Sequence, residues 1–332
     1  MNDRSLHWGL LSTASINQRL IPAIRAAPRN KLCAVASRDH TRAQEFAQRW
    51  HIPRAYGRYQ ELLADADIDA IYIALPNHLH EEWTIKAAEA GKHILCEKPL
   101  SLTVAAVDTM SAAAWQNRVV LQEAFAYQFH PQTRKVRELV RDGTIGQVRT
   151  LRAEFSFLLS KTDNYRLHPE MGGGALWDLG CYPVSFFRLA LDAEPVEATG
   201  WEWTGPTGVD LGFAGQLRFP QDVFAQFFCS LGSTRHLEFS ISASQGRIRL
   251  DHPWLHNLGE SATIFVERSG DAGSSTIDFH DVQPYRCQVE GMAAAVLDEA
   301  SPAVSLAHSH GNVTTIEALF ESARSGRSVA LR

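Results

Sequence analysis

Between residue 8 and about residue 123 the chain alternates short apolar runs with helix-length stretches, and few folds accommodate that alternation. The runs at 8–11, 32–36, 68–75, 93–96 and 119–121 have strand length. Between two of them, Ala43, Phe46, Ala47 and Trp50 recur at i, i+3, i+4 and i+7, which places one apolar stripe on a helix. Gly91 is a natural stop for the helix carrying Trp83 and Ala87. Parallel neighbouring strands need crossover connections, so the pattern predicts an α/β domain with a doubly wound parallel sheet over residues 1–123.

Beyond that point the period changes. Leu151, Ala153, Phe155 and Phe157 alternate with Thr150, Arg152, Glu154 and Ser156, the rhythm of a strand with one buried and one polar face. Further strands are predicted near 198–203, 213–219, 223–230, 236–242, 247–251 and 262–267, with Pro220-Gln221-Asp222 as a turn and helices near 285–299 and 309–324. Residues 124–332 therefore read as an α+β domain dominated by antiparallel sheet. A length of 332 residues suits two domains.

Composition narrows the class of partner. A formal charge of -5, with Lys and Arg scattered, gives no general attraction for nucleic acid or anionic membrane, which leaves a small molecule. Residues 1–7 are polar, unlike a signal peptide, and no apolar run approaches the roughly 18 residues of a membrane span. The cysteines, five in number and widely spaced in apolar surroundings, read as reduced thiols of a cytoplasmic protein.

The stretch GLLSTASIN at residues 9–17 joins the first strand to the first helix, where a Rossmann fold carries its phosphate loop. The positions of G-x-G-x-x-G read Ser12, Ala14 and Asn17. Small Ser12 and Ala14, with hydroxyls at Thr13 and Ser15, suit a phosphate at a helix N-terminus. The loop fits a serine-capped helix entry equally well. Four other strand ends carry polar residues, at Ser37-Arg38-Asp39, Pro76-Asn77-His78, Glu97-Lys98-Pro99 and Gln122-Glu123. Open α/β sheets bind ligands beyond the carboxyl ends of their strands, and convergence of all four on one edge predicts a site. No metal is expected: His78-x-His80 and His308-x-His310 lack partners at metal-ligand spacing, and HEEWT lacks the second histidine of H-E-x-x-H. Neither a G-x-S-x-G elbow nor a Walker loop occurs.

Residues 74–103, ALPNHLHEEWTIKAAEAGKHILCEKPLSLT, resemble the central signature of the Gfo/Idh/MocA oxidoreductase family. LQEAFAYQFHPQ at 121–132 and GGGALWDLGCYPV at 172–184 extend the resemblance over nearly the whole chain. It is nearest to the branch of xylose dehydrogenases, dihydrodiol dehydrogenases and anhydrofructose reductases. It implies a Rossmann domain followed by an open-faced sheet domain, joined into homodimers or homotetramers through that sheet. It also implies a nicotinamide cofactor near Ser12, Thr13 and Ala14, with Pro76, Asn77 and His80 near the nicotinamide end and Leu75, Glu97, Lys98 and Glu123 as further cofactor-binding residues. The expected reaction is hydride transfer between nicotinamide and a secondary alcohol or carbonyl of a sugar, cyclic polyol or cyclic diol.

In that reading Lys98 is the lysine beside the reacting carbon, and Tyr182 takes the proton-transfer position that other branches give to histidine. Asp178 and Tyr182 are spaced i and i+4, on one stripe of a helix, after a run of three glycines. Lys98 favours the phenolate of Tyr182 and also holds the substrate oxygen, and Asp178 orients or balances the pair. Which of Lys98 and Tyr182 carries the proton stays open, because coupled groups titrate together. Asn164 and Arg166 are expected to bind substrate hydroxyls, and Tyr127, His130 and Phe157 to line the pocket. Gln128 stands where many relatives have arginine. At the second strand end, Ser37 and the Arg38 guanidinium suit a 2′-phosphate, so NADP is expected over NAD. Asp39 reaches the ribose only by a shift in register, and equally fits the N-cap of the next helix. Two other functions share this fold: a non-catalytic dinucleotide sensor, and a nicotinamide-dependent glycosidase.

Overall fold

The computed structural model describes residues 4–250, 252–254, 261–271 and 273–331. Six strands form the first sheet: β1 (Leu6–Leu11), β2 (Asn30–Ala36), β3 (Arg54–Tyr56), β4 (Ala70–Ile73), β5 (His93–Cys96) and β6 (Leu121–Glu123). Their order is β3-β2-β1-β4-β5-β6 and every pairing is parallel. The crossovers are α1 (Asn17–Ala26), α2 (His40–Trp50), α3 (Tyr59–Leu63), α4 (His80–Glu89) and α5 (Val104–Gln116). Strand order reverses at β1 and β4, the switch point where such sheets open a crevice at their carboxyl edge. Fully buried runs such as Ala70–Ile73 are what a sheet covered on both faces demands.

The second sheet has nine strands: β7 (Val148–Leu158), β8 (Glu197–Thr204), β9 (Asp210–Phe219), β10 (Val223–Ser230), β11 (Gly232–Ala243), β12 (Gly246–Leu250), β13 (Ala262–Arg268), β14 (Ser274–Phe279) and β15 (Val329–Ala330). Its order is β14-β13-β12-β11-β7-β10-β9-β8-β15, antiparallel throughout except for the parallel pair β7 and β10. The strand expected at 247–251 is Gly246–Leu250; residue 251 lies outside the described residues. α6 (Pro131–Arg141) and α7 (Cys181–Leu191) belong to this unit. The buried face of α7 sets Phe186 in a stack on Phe239, with centroids 4.1 Å apart.

α8 (Pro284–Leu297) returns to the first unit, and α9 (Leu306–Ser325) runs across the division at residue 310. The two compact units are thus 1–129 with 283–310, and 130–282 with 311–332. The expected border after residue 123 misses both the six residues to Phe129 and the returning helix. The reason is packing. Val289, Met292 and Ala293 of α8 share one core with Trp8, Leu10, Ile21 and Leu95, and burying a side chain such as Val or Met contributes roughly 1.5–3 kcal/mol. Gly291 also comes so close to Phe129 that a Cβ there would stand 2.6 Å from its ring. Among the described residues no helix is long and apolar enough to cross a membrane.

Candidate active site

In the first unit, the loop after β1 is held in a conformation that favours glycine, yet by a serine. Ser12 has φ 118°. Hydrogen bonds compensate: its Oγ donates to the Ala74 carbonyl at 2.6 Å and accepts from the Ala14 N–H at 3.2 Å, while Asn17 Nδ2 donates to the Ser12 carbonyl at 2.8 Å. The alternative of a serine-capped helix entry does not form, since Ile16 is the N-cap of α1 and no side chain caps it. Thr13 and Ala14 are half-buried at that N-terminus, the positive end of the helix dipole, which favours an anion.

After β2, Asp39 is the N-cap of α2 and accepts from the Arg42 N–H at 3.1 Å. Ser37 and Arg38 precede it at the end of β2. Ser37 is buried, with its Oγ accepting from the Asp39 N–H at 3.3 Å, and Arg38 is exposed. Arg38 lines a cleft of about 820 Å³ together with Arg58, Tyr59, Leu79 and Trp83. Tyr59 and Trp83 meet edge to face at 4.9 Å.

Lys98 lies just past β5, half-buried, before a cis bond to Pro99. Three side chains fix the backbone of this turn. His80 Nδ1 contacts the Pro99 carbonyl at 2.9 Å, Glu123 Oε1 accepts from the Leu100 N–H at 2.8 Å, and Glu97 Oε2 accepts from the Lys98 N–H at 3.3 Å. Glu97 is itself bonded to the Tyr72 hydroxyl. His80 Nε2 reaches the Leu75 carbonyl at 2.9 Å, so this fully buried ring ties the end of β4 to the lysine turn. Burial, outweighing those carbonyls, pulls its pKa below that of an ordinary histidine. His80 and Glu123 were expected beside the cofactor. In the structure both are buried under the turn, with both ring nitrogens of His80 and the Oε1 of Glu123 bonded to backbone. Leu75 and Pro76 are half-buried at the switch point and Asn77 is buried there. Tyr285, from the returning α8, was missed. Burial, with Glu97 adding to it against Arg19 and Lys98, pushes its phenol up to about 12, which places it in the electrostatic field of the lysine turn.

In the second unit, Asp178 is almost fully buried and pairs with Arg166 in a two-pronged bond, Nε to Oδ2 at 2.5 Å and a terminal nitrogen to Oδ1 at 3.2 Å. Burial lowers the Arg166 pKa, but the Asp178 carboxylate, with Tyr165 and Tyr182 assisting, raises it well beyond the ordinary value. The guanidinium also stacks over Tyr165 at 4.7 Å. Asn164 serves the backbone, its Oδ1 accepting from the Arg166 N–H at 3.1 Å. The expected single helix for Asp178 and Tyr182 is instead two pieces: a π-helical turn at Leu176–Gly180 carries Asp178, and α7 carries Tyr182. π-turns of this kind cluster at functional sites. The Tyr182 ring is half-buried against Phe155 at 5.4 Å and Trp254 at 6.2 Å.

Tyr127 is buried in the first unit, edge-on to Phe125 at 5.7 Å, and Gln128 there meets His308 at 2.9 Å. His130 is buried in the second unit as the N-cap of α6, and Phe157 is half-buried on β7.

Comparison with known proteins gives a consistent relationship. The sequence profile of the GFO/IDH/MocA oxidoreductase family with NAD-binding Rossmann fold matches residues 6–125, and that of the GFO/IDH/MocA C-terminal domain matches residues 133–249. A D-xylose 1-dehydrogenase (NADP(+)) of Haloferax volcanii is 36% identical over 327 residues, 98% of this chain and 99% of the relative. A trans-1,2-dihydrobenzene-1,2-diol dehydrogenase of Mus musculus is 35% identical over 75% of this chain and 76% of its own. Among solved structures, a 3-ketoreductase from Actinomadura kijaniata in complex with NADP and TDP-benzene superposes with a TM-score of 0.89 at 28% identity, covering 96% of this chain and 98% of that one.

Proposed function

Since the chain belongs to the GFO/IDH/MocA oxidoreductase family, we propose that it transfers a hydride between a nicotinamide cofactor, NADP(H) in preference to NAD(H), and a secondary alcohol or carbonyl of a sugar, cyclic polyol or cyclic diol. The observation that carries this reading is the Lys98 turn, a lysine at a strand end whose backbone is fixed from three sides. Relatives named for D-xylose and for a dihydrobenzenediol support the substrate class.

The residues of the first unit fit a phosphorylated dinucleotide by their chemistry. Ser12 already holds the glycine-type turn, Thr13 and Ala14 stand at a helix N-terminus, and Arg38, next to Ser37 in the chain, borders a cleft with aromatic walls. When bound, the nicotinamide supplies the two-electron hydride donor or acceptor. Lys98 holds the substrate oxygen through its ammonium. Tyr182 takes the hydroxyl proton during oxidation and returns it during reduction. Arg166 keeps a permanent positive charge near that phenol, which favours its ionised form, and Asp178 holds Arg166 in place.

We assign assembly to the sheet face that bears Leu158, Trp201, Trp203 and Phe224, all exposed, and expect homodimers or homotetramers. The cysteines stand as free thiols, in keeping with a cytoplasmic setting. A screen of aldoses, inositols, anhydro-ketoses and cyclic diols with both cofactors, followed by cofactor absorbance, tests the function. Turnover of at least one member is expected; tight cofactor binding with no turnover across the panel marks a sensor instead. Release of a leaving group without net cofactor reduction marks a glycosidase.

A further inference from the structure

The π-helical turn that carries Asp178 has no side-chain cap of its own. N–H groups at the start of a helical segment need acceptors from elsewhere, and here they find Asp210, the first residue of β9. Leu176 N–H donates to Asp210 Oδ2 at 2.6 Å, and the Ala175 N–H and Asp210's own N–H also serve the carboxylate. Asp210 is only 5% exposed. Gly174 records how closely the carboxylate fits. It has φ 108°, and a Cβ there would stand 1.9 Å from Asp210 Oδ1, far inside contact distance. On the other flank, a Cβ on Gly173 would stand 2.5 Å from the Arg166 carbonyl oxygen, and that oxygen accepts from the Gly174 N–H at 2.9 Å. The glycine run is therefore a saddle between Asp210 and the backbone of Arg166, whose side chain continues to Asp178.

We propose that Asp210 is a positioning residue for the reaction, setting the start of the turn and through it the placement of Asp178 and Tyr182, with Gly174 bare of a side chain to admit it. The inference rests on the catalytic reading of Tyr182 given above. Burial pushes the Asp210 carboxyl up to about 7 against the pull of its N–H donors, with Glu202 of β8 adding to the rise. Displacing a reacting group by about 1 Å costs up to 10²-fold in rate, so a small tilt of this turn is enough to be read in turnover.

The test uses the full chain carrying Asp210→Ala or Asp210→Asn, assayed with the best substrate of the screen. Amide hydrogen exchange is followed in parallel over residues 172–184. Asp210→Ala is expected to lower kcat about 10- to 100-fold, more than it changes KM, with NADPH affinity unaltered. Asp210→Asn, which keeps one acceptor for the Leu176 N–H, recovers most of the loss. Exchange in 172–184 accelerates in the alanine variant while β10 stays protected. Should Asp210→Ala not fold, Asp210→Ser carries the same readouts. Unchanged exchange in 172–184 overturns the proposal, and so does a kcat that falls only in step with the folded fraction. A wild type inactive on the whole panel refutes the functional reading; the exchange arm then decides alone whether Asp210 sets the turn.

Discussion

The Lys98 turn of the first unit is fixed by three side chains acting on its backbone, whereas the Tyr182 region of the second is fixed by buried charge. His80, Glu123 and Glu97 each hold one carbonyl or N–H, so the loss of one leaves the others in place. Around Tyr182, Asp178 has its ion pair with Arg166 and Asp210 has its N–H donors, and removing a partner there strands a charge away from water. One half is therefore redundant and the other brittle. The Tyr182 phenol, by contrast, acquires a permanent cationic neighbour in Arg166.

The largest effects are expected where the contrast disappears, at the two groups proposed to carry the chemistry. Lys98→Ala and Tyr182→Phe each lower turnover by about 10²–10⁴-fold with cofactor affinity nearly intact, read by steady-state kinetics and fluorescence titration. Wild-type-like turnover in both variants would remove the mechanism. The contrast sharpens with the supports. Arg166→Ala, which leaves the Asp178 carboxylate buried without its cation, is expected to destabilise the second unit by about 3 kcal/mol. Glu123→Gln, which keeps an acceptor for the Leu100 N–H, costs no more than about 1 kcal/mol in the first. Denaturant unfolding compares the two, and equal losses would erase the distinction drawn here.

A smaller effect concerns the cofactor. Charge-assisted bonds from Arg38 of roughly 1.5–3 kcal/mol give about a ten- to hundredfold preference for NADPH over NADH, and Arg38→Ala removes most of it. Equal affinities in the wild type, by titration, would show the ribose pocket wrongly assigned. The smallest effect is in pH. Because the Asp210 carboxyl is raised by burial from the ordinary 3.8 to about 7, the folded chain binds that proton before the unfolded chain does. Its contribution to stability therefore grows as pH falls from about 7 towards 4, by up to about 1.4 kcal/mol per pH unit, and is lost as pH rises through 7. Asp210→Asn should remove this slope in unfolding measurements across that range; an unchanged slope would mean another group produces it.

What the sequence discloses follows the same division. The strands of the first sheet are legible because parallel sheet buried on both faces writes itself as apolar runs, and Glu97-Lys98-Pro99 sits at the end of one of them. Asp39 is legible as a cap because capping is local. β3, at three residues, is too short to show a period, and β14 hides because most of its residues are exposed and its sequence is largely polar. The return of α8 to the first core leaves no local mark, and so Tyr285 beside the lysine turn was missed. Asp178 and Tyr182 were recognised, but their i, i+4 spacing suggested a regular helix, and the π-turn that separates them depends on Asp210 arriving from a distant strand. For His80 and Glu123, expected beside a cofactor, the sequence does not disclose the buried backbone contacts each makes, since a polar residue at a strand end looks the same whether it faces a ligand or a buried carbonyl.

The central proposal is that Lys98 and Tyr182 both serve the proton-coupled hydride transfer proposed above. The double variant Lys98→Ala/Tyr182→Phe, compared with each single variant by kcat/KM on one substrate, measures this directly. Residues that act as a unit are strongly non-additive, so the double variant is expected to lose little more than the worse single variant. Losses that multiply, as for two independent contributions, would contradict it.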